Sequence, residues 1–137
     1  MKKFIAVSLL FSFSAQARCP EFASQYRKCQ STNKIQAIAV KAKEPFFKFT
    51  FVRESGTFRQ YVITDGELRD VTIQTQDGNE TNYSESATCS GKDLKVTRTM
   101  DDSLRKEETV FSPSEGQVDI QEFTDGILTH QTTCFSR

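Results

Sequence analysis

The sequence predicts an all-β domain, an antiparallel up-and-down meander of about eight to ten strands that closes into a barrel. Short runs rich in valine, isoleucine, threonine, tyrosine and phenylalanine recur along the chain. Asp-Gly and Ser-Gly turn signals separate these runs at intervals of roughly 8–12 residues. Because the connections are short, each strand should lie antiparallel beside its predecessor. Closure into a barrel would remove the exposed edges of so long a meander. A two-sheet β-sandwich is the alternative.

The first 17 residues are predicted to be a secretory signal peptide rather than part of the fold. Lys2 and Lys3 form a positive segment, the apolar run FIAVSLLFSF follows, and Ala15 and Ala17 are the small residues that a signal peptidase reads. The apolar run is about 10 residues long, whereas a bilayer span needs ~20. We expect Sec-type bacterial export to the periplasm or the medium with cleavage after Ala17. The mature chain, 18–137, would then be a single disulfide-bonded β-barrel domain.

The predicted strands follow in order along the mature chain. A strand at 24–31 competes with a helix from Glu21 to Lys28 opened by Pro20. The segment KIQAIAVKAK could be helical by composition, but its alternation and the proline that follows favour a strand. The remaining turn signals delimit the predicted strands 35–41, 46–53, 57–64, 67–75, 80–88, 94–100, 104–111, 117–123 and 127–135.

Phenylalanine is concentrated in the segment FFKFTFVR at 46–53. Alternate side chains of a strand share a face, so Phe47, Phe49 and Phe51 lie on one face. We predict that this face points inward as core. The same inward parity on later strands takes in Val71, Ile73, Tyr83, Ala87, Cys89, Leu94, Val96, Met100, Leu104, Val110, Val118 and Ile120.

Charged residues also fall on the predicted inward parity, at Glu85, Arg98, Lys106 and Glu108. Because an unpaired buried charge costs several kcal/mol, these groups must pair, line a wet interior, or face outward in a different register. A partly polar interior with an aromatic wall is typical of an amphiphile-binding barrel. The ligand-binding candidates are Phe47, Phe49, Phe51, Tyr83 and Arg98.

The four cysteines, Cys19, Cys29, Cys89 and Cys134, all follow the predicted signal peptide. An even number in an exported chain predicts two disulfides. The favoured pairing is Cys19–Cys29 with Cys89–Cys134, since an even number of chain reversals places Cys89 and Cys134 at the same end of the sheet. The rival pairing is Cys19–Cys89 with Cys29–Cys134, which would join the first strand to the last.

Charge and motif content narrow the classes of function. Lys2 and Lys3 are two of the 18 basic residues, so the mature chain has about two more acidic than basic side chains. This balance argues against a nucleic-acid partner and against an electrostatic membrane-surface role. No later segment is apolar enough to span a membrane. His130 is the only histidine, and it lacks a recognisable catalytic setting. We expect no catalytic residue, no metal site and no cofactor.

The plan of the chain resembles small secreted bacterial barrels of the lipocalin-like, calycin type. The resemblance lies in the CPEF…YRKC start, the serial hairpins and the late cysteine. Bacterial lysozyme-inhibitor barrels are similar in plan, and SATCSG at 86–91 loosely matches one of their loops. The resemblance implies a fold class, and no functional residue is carried over from it.

These observations favour a secreted, monomeric, non-enzymatic binding module that holds a small amphiphilic ligand. The alternative is a protein-interaction module, such as an inhibitor of a secreted enzyme or a component of the cell envelope.

Overall fold

The computed structural model describes residues 18–74 and 78–137, which form an antiparallel all-β structure of 11 strands without helices. The predicted signal peptide lies outside these residues. Among them there is no helix with the length and apolarity to cross a membrane. The strands are β1 (Gln25–Tyr26), β2 (Lys28–Ser31), β3 (Ile35–Lys43), β4 (Phe46–Arg53), β5 (Gly56–Ile63), β6 (Arg69–Gln74), β7 (Glu80–Cys89), β8 (Leu94–Met100), β9 (Lys106–Ser114), β10 (Gln117–Thr124) and β11 (Ile127–Phe135).

The strands form a four-stranded sheet, in the order β1-β3-β4-β5, and a seven-stranded sheet, in the order β2-β11-β10-β9-β8-β7-β6. The predicted antiparallel meander is therefore confirmed, and the helix considered at Glu21–Lys28 is wrong. Only Arg27 separates β1 from β2, so one bent segment contributes to both sheets. Its amide donates to the carbonyl of Phe135, 2.9 Å away. Through β2 and β11, the first and last parts of the meander lie side by side.

The predicted barrel does not close, because β5 and β6 are not paired. We call the gap between these two strands the seam. The TDG segment at 64–66 is one of the Asp-Gly turn signals and predicts a tight hairpin, but its backbone forms hydrogen bonds elsewhere. The Thr64 amide donates to Pro45 and the Gly66 amide donates to Ala87 on β7. Gly66 has φ = 77°, a value that favours glycine. The two-sheet alternative thus describes this part of the molecule better.

The core lies between the two sheets, and Phe47, Phe49 and Phe51 are buried in it, as predicted. Phe49 stacks on Phe111 with ring centroids 4.3 Å apart. Phe22, from the segment before β1, contacts Phe47, Phe49 and Phe111 edge to face. The interior side of the phenylalanine row is therefore filled by other aromatic rings.

The predicted register is wrong on β9. Phe111 is fully buried opposite Leu94, so Val110, Glu108 and Lys106 lie on the other face. The β8–β9 connection explains the error, because Leu104 sits in it with φ = 54° and is exposed. The strand therefore begins later than expected, at Lys106.

The disulfides are Cys19–Cys89 and Cys29–Cys134, so the favoured pairing is wrong and the rival is right. Cys29 lies directly opposite Cys134 in the β2–β11 register. The amino-terminal segment crosses the end of the core, where the Gly91 amide donates to the Arg18 carbonyl. That contact holds Cys19 beside Cys89. The Cys29–Cys134 bridge joins the two ends of the meander, because β2 lies beside β11. The Cys19–Cys89 bridge instead joins the amino-terminal segment to the end of β7.

Candidate ligand-binding cavity

A cavity of about 480 Å³ opens along the seam, between β5 and the strands β6–β8. If β5 paired with β6, the two strands would close this space. Because they do not pair, the space between them stays open. The lining is apolar over much of its area and has charged groups toward β7 and β8. The lining residues are Phe58, Arg59, Gln60, Tyr61, Ile63, Arg69, Val71, Ile73, Tyr83, Glu85, Ser86, Ala87 and Arg98.

Three side chains form the polar end of the cavity. Glu85 and Arg98 are cross-strand partners on β7 and β8, and Arg98 Nε donates to Glu85 Oε1 at 2.7 Å. The Arg98 guanidinium also lies over the Tyr83 ring, 5.0 Å from its centroid. Of the charges predicted on the inward parity, Glu85 and Arg98 thus face inward and pair, whereas Lys106 and Glu108 face outward.

Tyr83 is a buried phenol that keeps its proton at neutral pH. Burial raises the pKa of Tyr83, and the nearby Arg98 charge opposes this rise only in part. The Tyr83 hydroxyl has no hydrogen-bond partner among the described residues. Neither do the two terminal guanidinium nitrogens of Arg98. The polar end therefore offers unused hydrogen-bond donors, one of them on a charged group.

Arg69 lies at the mouth of the cavity, where β6 begins. Its guanidinium makes two hydrogen bonds with Asp65, at 2.9 and 2.5 Å. Glu67 lies 3.7 Å from the same guanidinium. The Arg69 contact lowers the pKa of the Asp65 carboxyl to about 2. Arg69 is thereby committed to the β5–β6 connection, so among the described residues Arg59 and Arg98 are the lining arginines that keep unused guanidinium donors, and Arg98 is the one beside Tyr83.

The structure brings together two of the five predicted ligand-binding residues, Tyr83 and Arg98. Phe47, Phe49 and Phe51 do not line the cavity. Phe51 instead stacks at 4.8 Å on Phe58, which does.

Sequence reasoning missed Phe58 as a site residue, although a signal was present. Phe58 is the direct cross-strand partner of Phe51, so the hairpin register alone would have placed it on the same face. Val71 and Ile73 were predicted to point inward, and they form the opposite wall.

Other polar groups lie away from the seam. His130, on β11, is 3.4 Å from the Thr32 hydroxyl and does not line the cavity. A groove of about 710 Å³ lies at the turns after β2 and β4. Its lining is mostly polar turn residues, so it lacks the apolar walls of the seam cavity. Within 18–74 and 78–137, no three His, Cys, Asp or Glu side chains gather as metal ligands would.

Solved structures of fatty-acid-binding proteins are similar to this chain at low sequence identity. Fatty-acid-binding protein 1 of Echinococcus granulosus matches with a TM-score of 0.57 and 12% identity over 82% of this chain and 94% of its own. The brain fatty-acid-binding protein of Drosophila melanogaster matches with 0.53 and 12%, over 72% and 70%. The Schistosoma mansoni protein, solved with arachidonic acid, matches with 0.53 and 9%, over 72% and 69%.

No protein-family model and no curated protein matches the sequence. At identities of 9–12%, the structural likeness shows the fold alone. The predicted calycin-type resemblance is confirmed at that level, since the chain has the two-sheet β fold of the fatty-acid-binding proteins.

Proposed function

We propose that the protein is a non-enzymatic module that binds a small amphiphile in the seam cavity. The hydrocarbon part would lie against Phe58, Ile63, Val71 and Ile73. An anionic or hydrogen-bond-accepting head group would reach Tyr83 and Arg98. The observation that carries this proposal is that the Tyr83 hydroxyl and the two terminal nitrogens of Arg98 are unused donors in a largely apolar cavity.

The size and chemistry of the cavity support this function. Ligand pockets commonly enclose ~300–1,000 Å³, with apolar walls and a few polar groups that orient the ligand, and the seam cavity has about 480 Å³. A hydrogen bond between an ionised head group and a protein donor contributes about 1.5–3 kcal/mol. The fatty-acid-binding proteins that share the fold also support a small lipophilic ligand.

The setting we propose is outside the cytoplasm. The predicted signal peptide would direct export, and both disulfides of the structure fit an oxidising compartment. Native mass spectrometry of the exported protein should give a monomer with the mass of residues 18–137 and two disulfides. A small bound molecule in the same spectrum would support the binding module, and a bound protein would support the interaction-module alternative.

The direct test is fluorescence titration with cis-parinaric acid, a fatty acid that fluoresces when bound. Wild-type protein should bind it. Tyr83→Phe should bind it at least roughly tenfold more weakly, because the variant loses only the tyrosine hydroxyl that would donate to the carboxylate of the ligand. Tyr26→Phe is the matched control, since the Tyr26 hydroxyl accepts from the Ala23 amide in the core and lies outside the cavity. Absence of wild-type binding, or equal affinity of both variants, would contradict the proposal.

A further inference from the structure

The outer surface of the four-stranded sheet carries positive charge without compensating negative charge. We define the basic–aromatic face as Lys41, Lys43, Phe46, Lys48, Arg59 and Tyr61, which share the outward parity of β3–β5. None of these three strands contains an aspartate or a glutamate. In the described part of the chain, no ion pair involves the four cations of the face. The near-neutral total charge hides this asymmetry.

The arrangement of the lysines is not explained by folding stability. Lys41 lies directly opposite Lys48 on the neighbouring strand, and like charges in that position destabilise a sheet. Lys48 Nζ is 5.9 Å from the centroid of the Tyr61 ring, which offers only a weak, exposed cation–π contact. A partner that supplies negative charge would relieve the repulsion.

Exposed aromatic rings lie among these lysines. Phe46 is 56% exposed and Tyr61 is 66% exposed. Beneath them is a shallow groove of about 460 Å³, whose lining is almost entirely apolar apart from the lysine side chains. Lysine stems cover apolar surface while their ammonium groups reach outward. Aromatic rings flanked by lysines suit the boundary between lipid head groups and acyl chains.

We propose that the basic–aromatic face binds the surface of an anionic lipid bilayer. Three of its four cations are lysines, which act as point charges on a diffuse anionic surface, whereas recognition of individual carboxylates on a protein favours the forked guanidinium of arginine. The face also continues into the mouth of the seam cavity, because Tyr61 and Ile63 line both. A protein molecule bound to the bilayer through this face would hold the mouth of the cavity against the bilayer surface. The docking itself does not depend on the cavity being a ligand site.

The test is co-sedimentation with vesicles of phosphatidylcholine alone and of phosphatidylcholine with 30 mol% phosphatidylglycerol. We expect binding to the anionic vesicles only, weakening as salt is raised. A basic residue near an anionic surface raises partitioning roughly fivefold. The Lys41→Glu/Lys48→Glu variant should therefore lose roughly 25-fold or more.

The matched control is Lys28→Glu/Lys92→Glu, which makes the same change in charge on exposed residues of the seven-stranded sheet and its turns. It should keep binding within roughly twofold of wild type, since these residues lie off the face. All variants share the same first residues, so the amino-terminal apolar run cannot account for a difference between them. If charge reversal prevents folding, as circular dichroism would show, Lys41→Gln/Lys48→Gln replaces it with an expected loss of roughly 25-fold.

Three outcomes would overturn the proposal. In the first, the wild type does not bind anionic vesicles. In the second, the face variant and the control lose binding equally. In the third, the wild type binds neutral vesicles as well as it binds anionic ones. The first would favour an acidic protein as the occupant of the face. Affinity for cis-parinaric acid in vesicle-free solution should be the same in both lysine variants, so failure of the docking proposal and failure of the ligand proposal are distinguishable.

Discussion

Phe46 and Phe49 belong to the same strand but lie in opposite environments. Phe49 is 1% exposed and stacks on Phe111, whereas Phe46 is 56% exposed on the outer face. Phe49→Ala should lower the free energy of unfolding by about 3–5 kcal/mol, because it removes a buried ring and leaves a cavity. Phe46→Ala should change it by less than about 0.5 kcal/mol. Urea unfolding of the two variants measures the difference.

The two alanine variants are matched, because both truncate the same residue type on one strand. A similar decrease in the free energy of unfolding in both variants would mean that both faces of β4 are buried. A large loss in Phe46→Ala alone would mean that the register of β4 is reversed.

Single residues were predictable from the sequence where polar and apolar positions alternate cleanly. In β4 the row of phenylalanines leaves one choice of inward face, and that choice is confirmed. On β9 the adjacent Val110 and Phe111 are both apolar, so alternation gives no unique answer. The choice there depends on where the preceding connection ends, which is set by the left-handed conformation of Leu104.

The connection between β5 and β6 is the element that creates the cavity, and Asp65–Arg69 is its main side-chain contact. The hydrogen bonds from Arg69 lower the pKa of the Asp65 carboxyl from 3.8, its ordinary value, to about 2. A carboxyl whose folded pKa is lowered contributes stability above its unfolded pKa and loses it as the pH falls toward the folded pKa. The contribution of Asp65 should therefore be complete above about pH 4 and disappear between about pH 4 and pH 2.

We predict that Asp65→Asn flattens the pH dependence of unfolding in that window. Urea unfolding at pH 2, 3, 4 and 6 should show the variant losing less stability on acidification than the wild type does. Asp102→Asn is the control, because the described residues offer the Asp102 side chain no ion-pair partner. A wild-type slope in Asp65→Asn, or a flattened slope in the control, would refute the role of the Asp65–Arg69 contact.

The strands themselves were predictable, since turn signals and β-branched runs are local properties. The seam was not, because a TDG segment indicates that the chain turns but not which strand it pairs with afterwards. That choice depends on the Pro45 and Ala87 carbonyls, which receive the Thr64 and Gly66 amides and lie far away in sequence. Of the five residues predicted to bind a ligand, two line the cavity, Tyr83 and Arg98. Tyr83 and Arg98 follow from strand parity, whereas the cavity that contains them follows from a missing pair.

At the scale of the whole molecule, the fold places its apolar and polar groups at different parts of the interior. The phenylalanine row, Phe22 and Phe111 fill the core, whereas the Glu85–Arg98 pair lies by the seam. An aromatic core can therefore stabilise the domain while an unpaired edge leaves a cavity open. Among the described residues the cavity lining shares only Ala87 with the buried core cluster, so variants of the cavity such as Tyr83→Phe should leave most of the stability in place.

The two disulfides fix this arrangement by joining distant parts of the chain, with sequence separations of 70 and 105. Since a cross-link that closes a longer loop restricts the unfolded chain more, each bond should contribute about 4–5 kcal/mol in the chain-entropy model. That is a large share of the ~5–15 kcal/mol expected for a domain. Cys19→Ala/Cys89→Ala and Cys29→Ala/Cys134→Ala should each lower the urea midpoint strongly, and loss of both bonds should leave the chain largely unfolded at 37 °C.

The disulfide pairing distinguishes the observed topology from the one implied by the pairing that the sequence favoured, Cys19–Cys29 with Cys89–Cys134. Non-reducing peptide mapping of protein purified under oxidising conditions should recover Cys19 linked to Cys89 and Cys29 linked to Cys134. A Cys19–Cys29 peptide would mean that β2 does not lie beside β11, because Cys29 could then not face Cys134. A loop as short as the one between Cys19 and Cys29 would also contribute less, about 3 kcal/mol. Unfolding of Cys29→Ala/Cys134→Ala and the peptide map therefore have to agree, since both depend on β2 and β11 being neighbours.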